Sequence, residues 1–340
     1  MKYNIGFWNL ENLFAPEGFA QREPWLASKV GADLRGWSEA LFQRKIAQLA
    51  SIIVQFSDNT GPDILGVCEV ENRFVLDTLV NRVNGLLPAR NYGVVHADNT
   101  LDQRGIDTAF IFDQNIFSVD PTAVFSHFVM RRTGTRDITQ ATFRTAGGLD
   151  LVALCNHWPA RGSSTIETAG FRATAGETLG YWHERIREVR GDDVAIIAFG
   201  DFNDDPFDNS IRYNANAWRE RGDVERARSA RFYNLAWNYH SQQVIDHRGN
   251  ARTIDGTLYY RSNGNVFDQI MANRSLLTGE GGFSIDESSA RIEAFSQMID
   301  HRVGYGPIRF GLPKGKPESN VNEDGFSDHF PVSVRLTDNA

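Results

Sequence analysis

Residues 194–206 read VAIIAFGDFNDDP, an apolar run that changes abruptly into four carboxylate or amide side chains before a proline. Asp and Asn are common in turns because their side chains bond nearby backbone groups, and a proline ends the hydrogen-bond ladder of a strand. A strand end that releases acidic side chains is also a common place for a functional site. This stretch alone fits both interpretations, and the rest of the chain decides between them.

Composition and charge limit the class of protein. The chain has 340 residues, 41% of them hydrophobic and 23% charged, which is typical of a globular protein. Two cysteines exclude a disulfide framework, and the N-terminal stretch MKYNIGFWNLENLF lacks the features of a signal peptide. We therefore predict a cytoplasmic protein, or a secreted one if a signal peptide has been removed from this sequence. No apolar run is long enough to span a membrane, and no membrane partner is predicted.

Hydrophobic periodicity predicts the main elements. Apolar residues at intervals of three and four predict a helix after Gly36, a second helix from Asn72 and a third, long helix. The apolar positions of this third helix are Ile166, Ala169, Ala173, Leu179, Trp182, Ile186 and Val189. The strands between the second and third helices follow one another directly, which predicts antiparallel pairing, and one of them is expected over residues 117–130. The pattern predicts an α+β fold in which helices flank mostly antiparallel strands.

The chain shows no internal repeat and no low-complexity segment, so we predict a single domain over residues 1–340. Three stretches lack a sustained period or are rich in Gly, Pro and Lys, and we interpret them as insertions. These stretches are residues 15–37, 214–265 and 311–325. Insertions of this kind are where substrate choice would be determined.

Acidic, amide and imidazole side chains recur at the ends of the predicted strands. They are Asn9, Glu11, Glu69, Glu71, His157, Asp201, Asn203, Asp268, Asp328 and His329. Partial burial of so many ionisable groups is costly, so a shared site explains them better than packing does. The alternative is that some of them, Glu11 and Glu71 above all, are surface residues at loop mouths. Carboxylates and an amide without a Cys/His cluster favour Mg²⁺, or Mn²⁺, over zinc.

Seven motifs, in this order and with these gaps, resemble the endonuclease/exonuclease/phosphatase superfamily of deoxyribonuclease I and exonuclease III. They are FWNLEN, GVCEVEN, RGIDTAFIF, CNHWPAR, GDFND, FDQI and SDHFPV. The resemblance extends over residues 4–336, and the forms NHWPAR and RGID are most similar to a bacterial predicted-nuclease branch. It implies a DNase I-like, four-layer α/β/β/α sandwich with two mostly antiparallel β-sheets, and a Mg²⁺-dependent hydrolase.

The resemblance also implies roles for individual residues. Glu69 matches the principal metal-binding glutamate, with Asn9 beside it and Asp328 as a further acid on the metal side. Asp201 matches the aspartate that orients or deprotonates the attacking water, and Asn203 matches the asparagine that binds the phosphate. The remaining catalytic positions are matched by His329 near the scissile phosphate, Asp268 as its orienting carboxylate, and His157 as a proton donor to the leaving oxygen.

Arginines near these motifs are candidates for substrate binding. Arg104 and Arg161 flank two of the motifs and could bind phosphate oxygens bidentately, or they could be solvated residues at loop mouths. Two Arg-rich clusters, which begin at Arg131 and Arg219, could follow a nucleic-acid backbone, although the second alternates with acids and is more typical of an exposed helix face.

We therefore predict a divalent-metal-dependent phosphodiesterase whose partner is nucleic acid as substrate, DNA in preference to RNA. The net charge of −8 means that a polyanion must meet a local basic patch or bound cations. The same charge favours an alternative substrate, a small phosphate ester such as a nucleotide or a lipid head group. A non-catalytic binding protein on the same fold is a third hypothesis, but it predicts eroded motifs, whereas every catalytic position here carries a suitable side chain.

Overall fold

Two β-sheets packed face to face form the centre of the molecule in a computed structural model, which describes residues 1–98, 104–130, 134–162, 165–239 and 242–339. Within those residues the strands are β1 (Lys2–Leu13), β2 (Ile64–Val70), β3 (Tyr92–His96), β4 (Asp107–Asp113), β5 (Phe117–Val119), β6 (Phe125–His127), β7 (Ile138–Thr145), β8 (Asp150–His157), β9 (Ala195–Asp201), β10 (Ala217–Trp218), β11 (Phe232–Asn234), β12 (Gln242–Ile245), β13 (Ala251–Ile254), β14 (Leu258–Tyr260), β15 (Asn263–Asn265), β16 (Asp268–Asn273), β17 (Phe283–Ile292) and β18 (Val332–Asp338).

The helices are α1 (Pro24–Leu34), α2 (Glu39–Ile53), α3 (Phe56–Asn59), α4 (Arg73–Leu86), α5 (Thr165–Arg190), α6 (Arg221–Glu225), α7 (Arg274–Thr278) and α8 (Pro317–Asn320). Single turns of 3₁₀ or π-helix cover Pro121–Ala123, Ser210–Asn214, Leu235–Asn238 and Ser296–Met298. No helix in these described ranges is long and apolar enough to cross a membrane.

The strand order of the first sheet is β17–β18–β1–β2–β4–β3, and that of the second is β10–β11–β16–β9–β8–β7–β5, with β6 paired to β7. Neighbouring strands in these sheets are antiparallel apart from the pairs β1–β2, β8–β9 and β10–β11. A parallel pair needs a long crossover, which helices α1 to α3 provide for β1–β2 and helix α5 provides for β8–β9. The predicted α+β class with two mostly antiparallel sheets flanked by helices is confirmed.

The pleat of β9 shows how each sheet contacts two layers. Ala195, Ile197 and Phe199 point into the core between the sheets, while Ile196 and Ala198 pack in a separate cluster with Leu179 and Ile186 of α5. Phe199 stands at the centre of the inter-sheet core, 6.1 Å from the ring of Phe7 and 5.8 Å from that of Phe110. A Cβ atom on Gly66 of β2 would lie 2.1 Å from the Phe199 ring, so glycine is required for this sheet-to-sheet approach.

The first two predicted helices are confirmed as α2 and α4. The side chain of the residue before each helix caps its first turn. Ser38 Oγ accepts the backbone N–H of Leu41, and Asn72 Oδ1 accepts the backbone N–H of Val75. Such caps satisfy backbone donors that the first turn leaves free. Helix α2 buries Phe42, Ile46, Leu49 and Ile53, as its period predicts, and it buries Lys45 on the same face.

The third predicted helix is confirmed as α5, but its buried face differs from the predicted apolar one. Ile166 and Val189 are 88% and 84% exposed. The buried residues are Arg172, Ala175, Gly176, Leu179, His183 and Ile186. Hydrophobic periodicity did not predict this buried face because two of its residues are polar. His183 stacks on Phe232, with 3.9 Å between the ring centroids, and Arg172 forms a buried ion pair with an aspartate.

Two other local predictions were wrong. The strand expected over residues 117–130 is divided into β5 and β6 by a turn that Pro121 begins and Asp120 caps, because proline fixes its φ and donates no ladder hydrogen bond. The stretch 15–37, in which no period was found, contains helix α1 with Leu26, Val30 and Leu34 buried at intervals of four. That the stretches 15–37, 214–265 and 311–325 are insertions stays a prediction.

Candidate active site

The polar residues predicted from the strand ends lie together at one edge of the two sheets. Asn9, Glu69, His157 and Asp201 lie at or near the carboxyl ends of β1, β2, β8 and β9. Strand β16 is antiparallel to β9, so its first residue, Asp268, lies opposite Asp201 in the register. The residues before β18, which is antiparallel to β1, reach the same edge. The topology therefore brings together candidate site residues that are separated by up to 320 residues in sequence, such as Asn9 and His329.

Local backbone irregularities direct several of these side chains into the site. The register of β1 shifts after Asn9 and that of β2 shifts after Cys68. Glu11, Glu69 and Asn203 have left-handed φ angles of 51°, 61° and 52°. For a non-glycine residue such a conformation costs on the order of 1–3 kcal/mol and is concentrated at functional sites, and bulges redirect side chains in the same way.

Asp201 lies at the centre of the site. Its Oδ2 accepts a hydrogen bond from Asn9 Nδ2 at 3.1 Å and lies 3.7 Å from His157 Nε2 and 3.9 Å from His329 Nε2. Its Oδ1 accepts the backbone N–H of Asn203 at 3.0 Å. Burial raises the pKa of Asp201 to about 6, an effect that the charge of His329 opposes. A carboxylate with a pKa near neutrality is suited to accept a proton from water.

His329 and Asp268 form a buried hydrogen-bonded pair. His329 Nδ1 is 2.7 Å from Asp268 Oδ2. Burial opposes a charge on the imidazole, but the carboxylates of Asp268 and Asp201 outweigh it and raise the pKa of His329 well above its usual value. The backbone of His329 is fixed by Trp8 Nε1, which donates to its carbonyl at 2.9 Å, and by Ser327 Oγ, which accepts its N–H at 3.1 Å. The contacts therefore hold the His329 imidazole in one orientation, and the two carboxylates favour its protonated form.

His157 has the opposite electrostatic character. Its Nε2 lies 3.7 Å from both Glu69 Oε1 and Asp201 Oδ2. Complete burial lowers the pKa of His157 well below its usual value, and the charges of Arg136 and Arg104 lower it further. Its imidazole is therefore neutral, and within the described chain its buried Nδ1 has no hydrogen-bond partner. His157 and His329 therefore lie next to the same carboxylate, that of Asp201, but differ in charge state.

Glu69 and Asp328 have carboxylate oxygens that accept no hydrogen bond from any described residue. Glu69 Oε2 accepts the backbone N–H of Asn12 at 2.8 Å, whereas Oε1 faces His157 and Arg104, each at 3.7 Å. Among the described residues no donor forms a hydrogen bond with the Asp328 carboxylate. Burial raises the pKa of Asp328 and the charge of Glu69 raises it further, whereas the charge of His329 lowers it. A second possible cation site consists of one atom each from Asp201, Asp268 and His329, which lie within 4.8 Å of one another.

Glu11 and Glu71 are buried, so the alternative that they are surface residues is wrong. Glu71 binds Arg22 and the backbone N–H of Ala15, both at 2.6 Å, and supports the loop after β1. Glu11 binds the Arg309 guanidinium at 2.9 Å, and burial raises the pKa of Glu11 to about 7.

Lys45 is a buried cation next to this carboxylate group, and sequence reasoning missed it. Its Nζ donates to the backbone carbonyl of Glu11. Burial lowers the pKa of Lys45, while the charges of Glu11 and Asp328 act in the opposite direction. The available signal was its position on α2, on the same stripe as Phe42 and Leu49, because a lysine within an apolar stripe must find an acidic partner.

The two arginines predicted to bind substrate occupy different environments. Arg104 is half-exposed beside Glu69 at the mouth of the site. Arg161 is directed under the loop after β9, where it pairs with Asp205 at 3.0 Å and with Asp208 at 2.7 Å. It also donates to the backbone carbonyl of Asn203 at 3.1 Å. The structure therefore brings Arg104, but not the guanidinium of Arg161, to the open side of the site.

One further predicted residue, Asn203, lies at the site, whereas the first Arg-rich cluster is only partly described. Asn203 Nδ2 donates to the carbonyl of Trp158 at 3.0 Å, which keeps its side chain beside the site. Of the cluster that begins at Arg131, residues 131–133 lie outside the described residues.

The sequence profile of the Endonuclease/Exonuclease/phosphatase family matches residues 4–338. The chain belongs to this family. No curated protein sequence matches the chain significantly. Members of the family are phosphoric ester hydrolases and are typically dependent on a divalent metal ion, which agrees with the unsaturated carboxylates and the imidazoles at the edge of the sheets.

Solved structures of the family share the fold across the whole chain. A family protein from Bacteroides thetaiotaomicron is 16% identical, with a TM-score of 0.55 and coverage of 100% of this chain and 99% of that one. Truncated TDP2 from Caenorhabditis elegans is 15% identical, with a TM-score of 0.55 and coverage of 99% and 97%. A mannosyl-6-phosphatase from B. thetaiotaomicron is 18% identical, with a TM-score of 0.53 and coverage of 98% and 99%. At these identities the likeness establishes the fold and leaves the substrate open.

A buried arginine–aspartate pair supports the loop with the sequence GDFND. Arg172 of α5 is fully buried, and its Nε lies 2.7 Å from Asp204 Oδ1. Arg161 Nε reaches the same oxygen at 3.2 Å, and Ser210 Oγ donates to Asp204 Oδ2 at 2.6 Å. Asp204 follows Asn203 directly, so this network fixes the loop that carries Asp201 and Asn203.

We expect Arg172→Met to lower the free energy of unfolding by about 3 kcal/mol. The buried Asp204 carboxylate would lose one of its two arginine partners, so its negative charge would be only partly balanced. Urea-induced unfolding measures the change. The matched control is Arg185→Met on the same helix, which breaks an exposed pair with Glu188 and should cost about 0.5 kcal/mol or less. Equal losses in the two variants would contradict the importance of the buried pair.

Proposed function

We propose that this protein is a divalent-metal-dependent phosphodiesterase that hydrolyses nucleic acid, DNA in preference to RNA. One observation carries the proposal: Oδ2 of Asp201, a carboxylate with a pKa of about 6, lies within 4 Å of two imidazoles, the cationic one of His329 and the neutral one of His157. This arrangement supplies a proton acceptor and a proton donor that face the same small volume, as hydrolysis of an ester by water requires.

In the proposed reaction Asp201 takes a proton from water as the water oxygen bonds to phosphorus. As the phosphorus–oxygen bond to the leaving group breaks, the leaving oxygen receives the proton of His329 Nε2. Asp268 holds the His329 ring through Nδ1 and stabilises its charge. The neutral His157 is better suited to donate a hydrogen bond to a phosphate oxygen than to transfer a proton, so we assign the proton transfer to His329 instead. Asn9 orients Asp201 through Nδ2.

We propose Glu69 and Asp328 as the residues that hold the cation, because their carboxylates have oxygens that accept no hydrogen bond from the residues that the structure describes. Hard cations such as Mg²⁺ prefer oxygen ligands of this kind. The alternative set of Asp201, Asp268 and His329 is less suitable, since His329 is cationic and bonded to Asp268. A bound Mg²⁺ would neutralise negative charge on the phosphate as bonds are exchanged.

A second candidate function is hydrolysis of a small phosphate ester. It is favoured by the net charge of −8, which is unfavourable for a long polyanion. One structural neighbour is a mannosyl-6-phosphatase, so a sugar phosphate is a suitable substrate to compare with nucleic acid.

Nicking of supercoiled plasmid DNA tests the proposal. We expect nicking with Mg²⁺ or Mn²⁺, and we expect EDTA to abolish it. Mannose 6-phosphate is assayed in parallel by release of inorganic phosphate. Phosphate release without nicking would reject the nuclease and favour the second candidate, and inactivity toward both substrates and toward p-nitrophenyl phosphodiesters would reject both enzymatic functions.

A further inference from the structure

A cavity of about 530 Å³ adjoins the candidate active site. Asp328, which we propose as a ligand of the cation, lines it, and so does Arg309, which binds Glu11. One wall is the hairpin formed by β14 and β15, and Leu258 of this hairpin bridges to His329. The loop of residues 300–309 forms another wall. The cavity therefore meets the candidate active site at Asp328, next to His329 in sequence.

The walls of this cavity are held in place by buried contacts. Arg252 is buried and donates to the backbone carbonyls of Asp300, of Arg302 at 2.8 Å and of Tyr305 at 3.1 Å, which fixes the loop. The loop approaches the hairpin so closely that a Cβ atom on Gly306 would lie 2.2 Å from the Tyr259 ring. A pre-formed concave surface of this kind is typical of a ligand site.

Exposed tyrosines with arginines stacked on them line this cavity. Tyr260 is 63% exposed and lies under Arg261, with 5.2 Å between the guanidinium carbon and the ring centroid. Tyr305 is 46% exposed and lies under Arg302 at 3.8 Å. No carboxylate in the described part of the chain pairs with Arg261. Arg302 pairs with Asp300 at 2.6 Å and Arg309 pairs with Glu11 at 2.9 Å, so Arg261 is the guanidinium of this cavity that is available to a negatively charged group of a ligand.

We infer that this cavity binds the nucleotide next to the scissile phosphate, with its base stacked on Tyr260 or Tyr305 and its outer phosphate bound by Arg261. Stacking on an aromatic side chain tolerates any base, and guanidinium groups bind phosphate oxygens through paired N–H donors. The inference rests on the proposed function and specifies its substrate as one with a base beside the cleaved bond.

The test compares esters with and without a base. The p-nitrophenyl diesters of thymidine 5′- and 3′-phosphate carry the base, and methyl p-nitrophenyl phosphate does not. The measured quantity is kcat/KM for the better thymidine ester divided by kcat/KM for the methyl ester. We expect Tyr260→Ala or Tyr305→Ala to lower this ratio by about tenfold, which is within the range for loss of a base–aromatic stack. The corresponding Phe variants should retain the ratio because they retain the ring.

Tyr213→Ala is the matched control. Tyr213 is 61% exposed and lies 5.2 Å from the Arg212 guanidinium, as Tyr260 does from Arg261, but it lines a different cavity. This variant should keep the wild-type ratio. If the wild type hydrolyses both kinds of ester and neither alanine variant changes the ratio, the inference is overturned while the proposed function stands.

Binding of the dinucleotide pTpT in EDTA, measured by calorimetry, tests the cavity without hydrolysis. We expect Tyr260→Ala and Tyr305→Ala to weaken this binding and Tyr213→Ala to leave it unchanged. Equal binding by all variants would overturn the inference even if no ester were hydrolysed. Tighter binding of mannose 6-phosphate than of pTpT, lost in the same two variants, would assign the cavity to a sugar and also overturn it.

Discussion

Asp201→Asn is expected to lower kcat for phosphodiester hydrolysis by about 10²- to 10⁴-fold, the range for loss of a positioned general base. Asparagine has the same size and can still accept the backbone N–H of Asn203, but it cannot take a proton from water at neutral pH. Because water must lose a proton whichever group leaves, the loss should be similar for plasmid DNA and for methyl p-nitrophenyl phosphate. Initial rates at saturating substrate and Mg²⁺ measure it.

The stability of the same variant serves as the control. In the folded protein Asp201 has a raised pKa, so its ionised form is unfavourable there relative to the unfolded chain. Removal of this charge should raise the free energy of unfolding at pH 8, whereas the introduced amide NH2 would face Asn9 Nδ2 and lose that hydrogen bond, which is worth about 1 kcal/mol. We therefore expect a net change of about 1 kcal/mol or less. A variant with wild-type stability and a kcat within tenfold of the wild type would contradict the role of Asp201 as the base.

The sequence predicted those parts of the fold in which local pattern and tertiary packing agree. Helices α2 and α4 carry caps at Ser38 and Asn72 and regular apolar stripes, and both form as predicted. Strand β17 was not predicted, because its sequence FSIDESSARI carries polar residues at positions that the structure leaves partly exposed at the edge of the first sheet. Its pairing with β18 is a long-range property that its own residues do not specify.

For the site, the sequence predicted most of the acidic, amide and imidazole residues that meet, and the structure supplied their charge states. Motif order was enough to place Asp201, Asp268 and His329 at one edge of the sheets. Charge state depends on burial and on neighbours from distant segments, so the contrast between a neutral His157 and a cationic His329 could not be predicted from either motif. The engagement of Arg161 by Asp205 and Asp208 depends in the same way on a loop geometry that composition does not reveal.

His329→Gln is expected to lower kcat for plasmid DNA by about 10²- to 10⁴-fold, because a glutamine cannot protonate the leaving oxygen. The expected loss is much smaller for methyl p-nitrophenyl phosphate, since p-nitrophenolate is a stable anion that leaves without a proton. This dependence on the leaving group distinguishes His329 from Asp201, whose loss should affect both substrates alike. Parallel assays of both variants on both substrates measure the difference.

Asp268→Asn tests whether the pair acts as a unit. Loss of this carboxylate removes the strongest influence that raises the pKa of His329, so the variant should also lose more activity on DNA than on the p-nitrophenyl ester. The double variant Asp268→Asn/His329→Gln should be no slower than His329→Gln alone, because Asp268 acts through the imidazole and groups that act together are not additive. Equal losses on both substrates for His329→Gln would instead make the imidazolium a ligand of the phosphate, and the proton of the leaving oxygen would have to come from water or from His157.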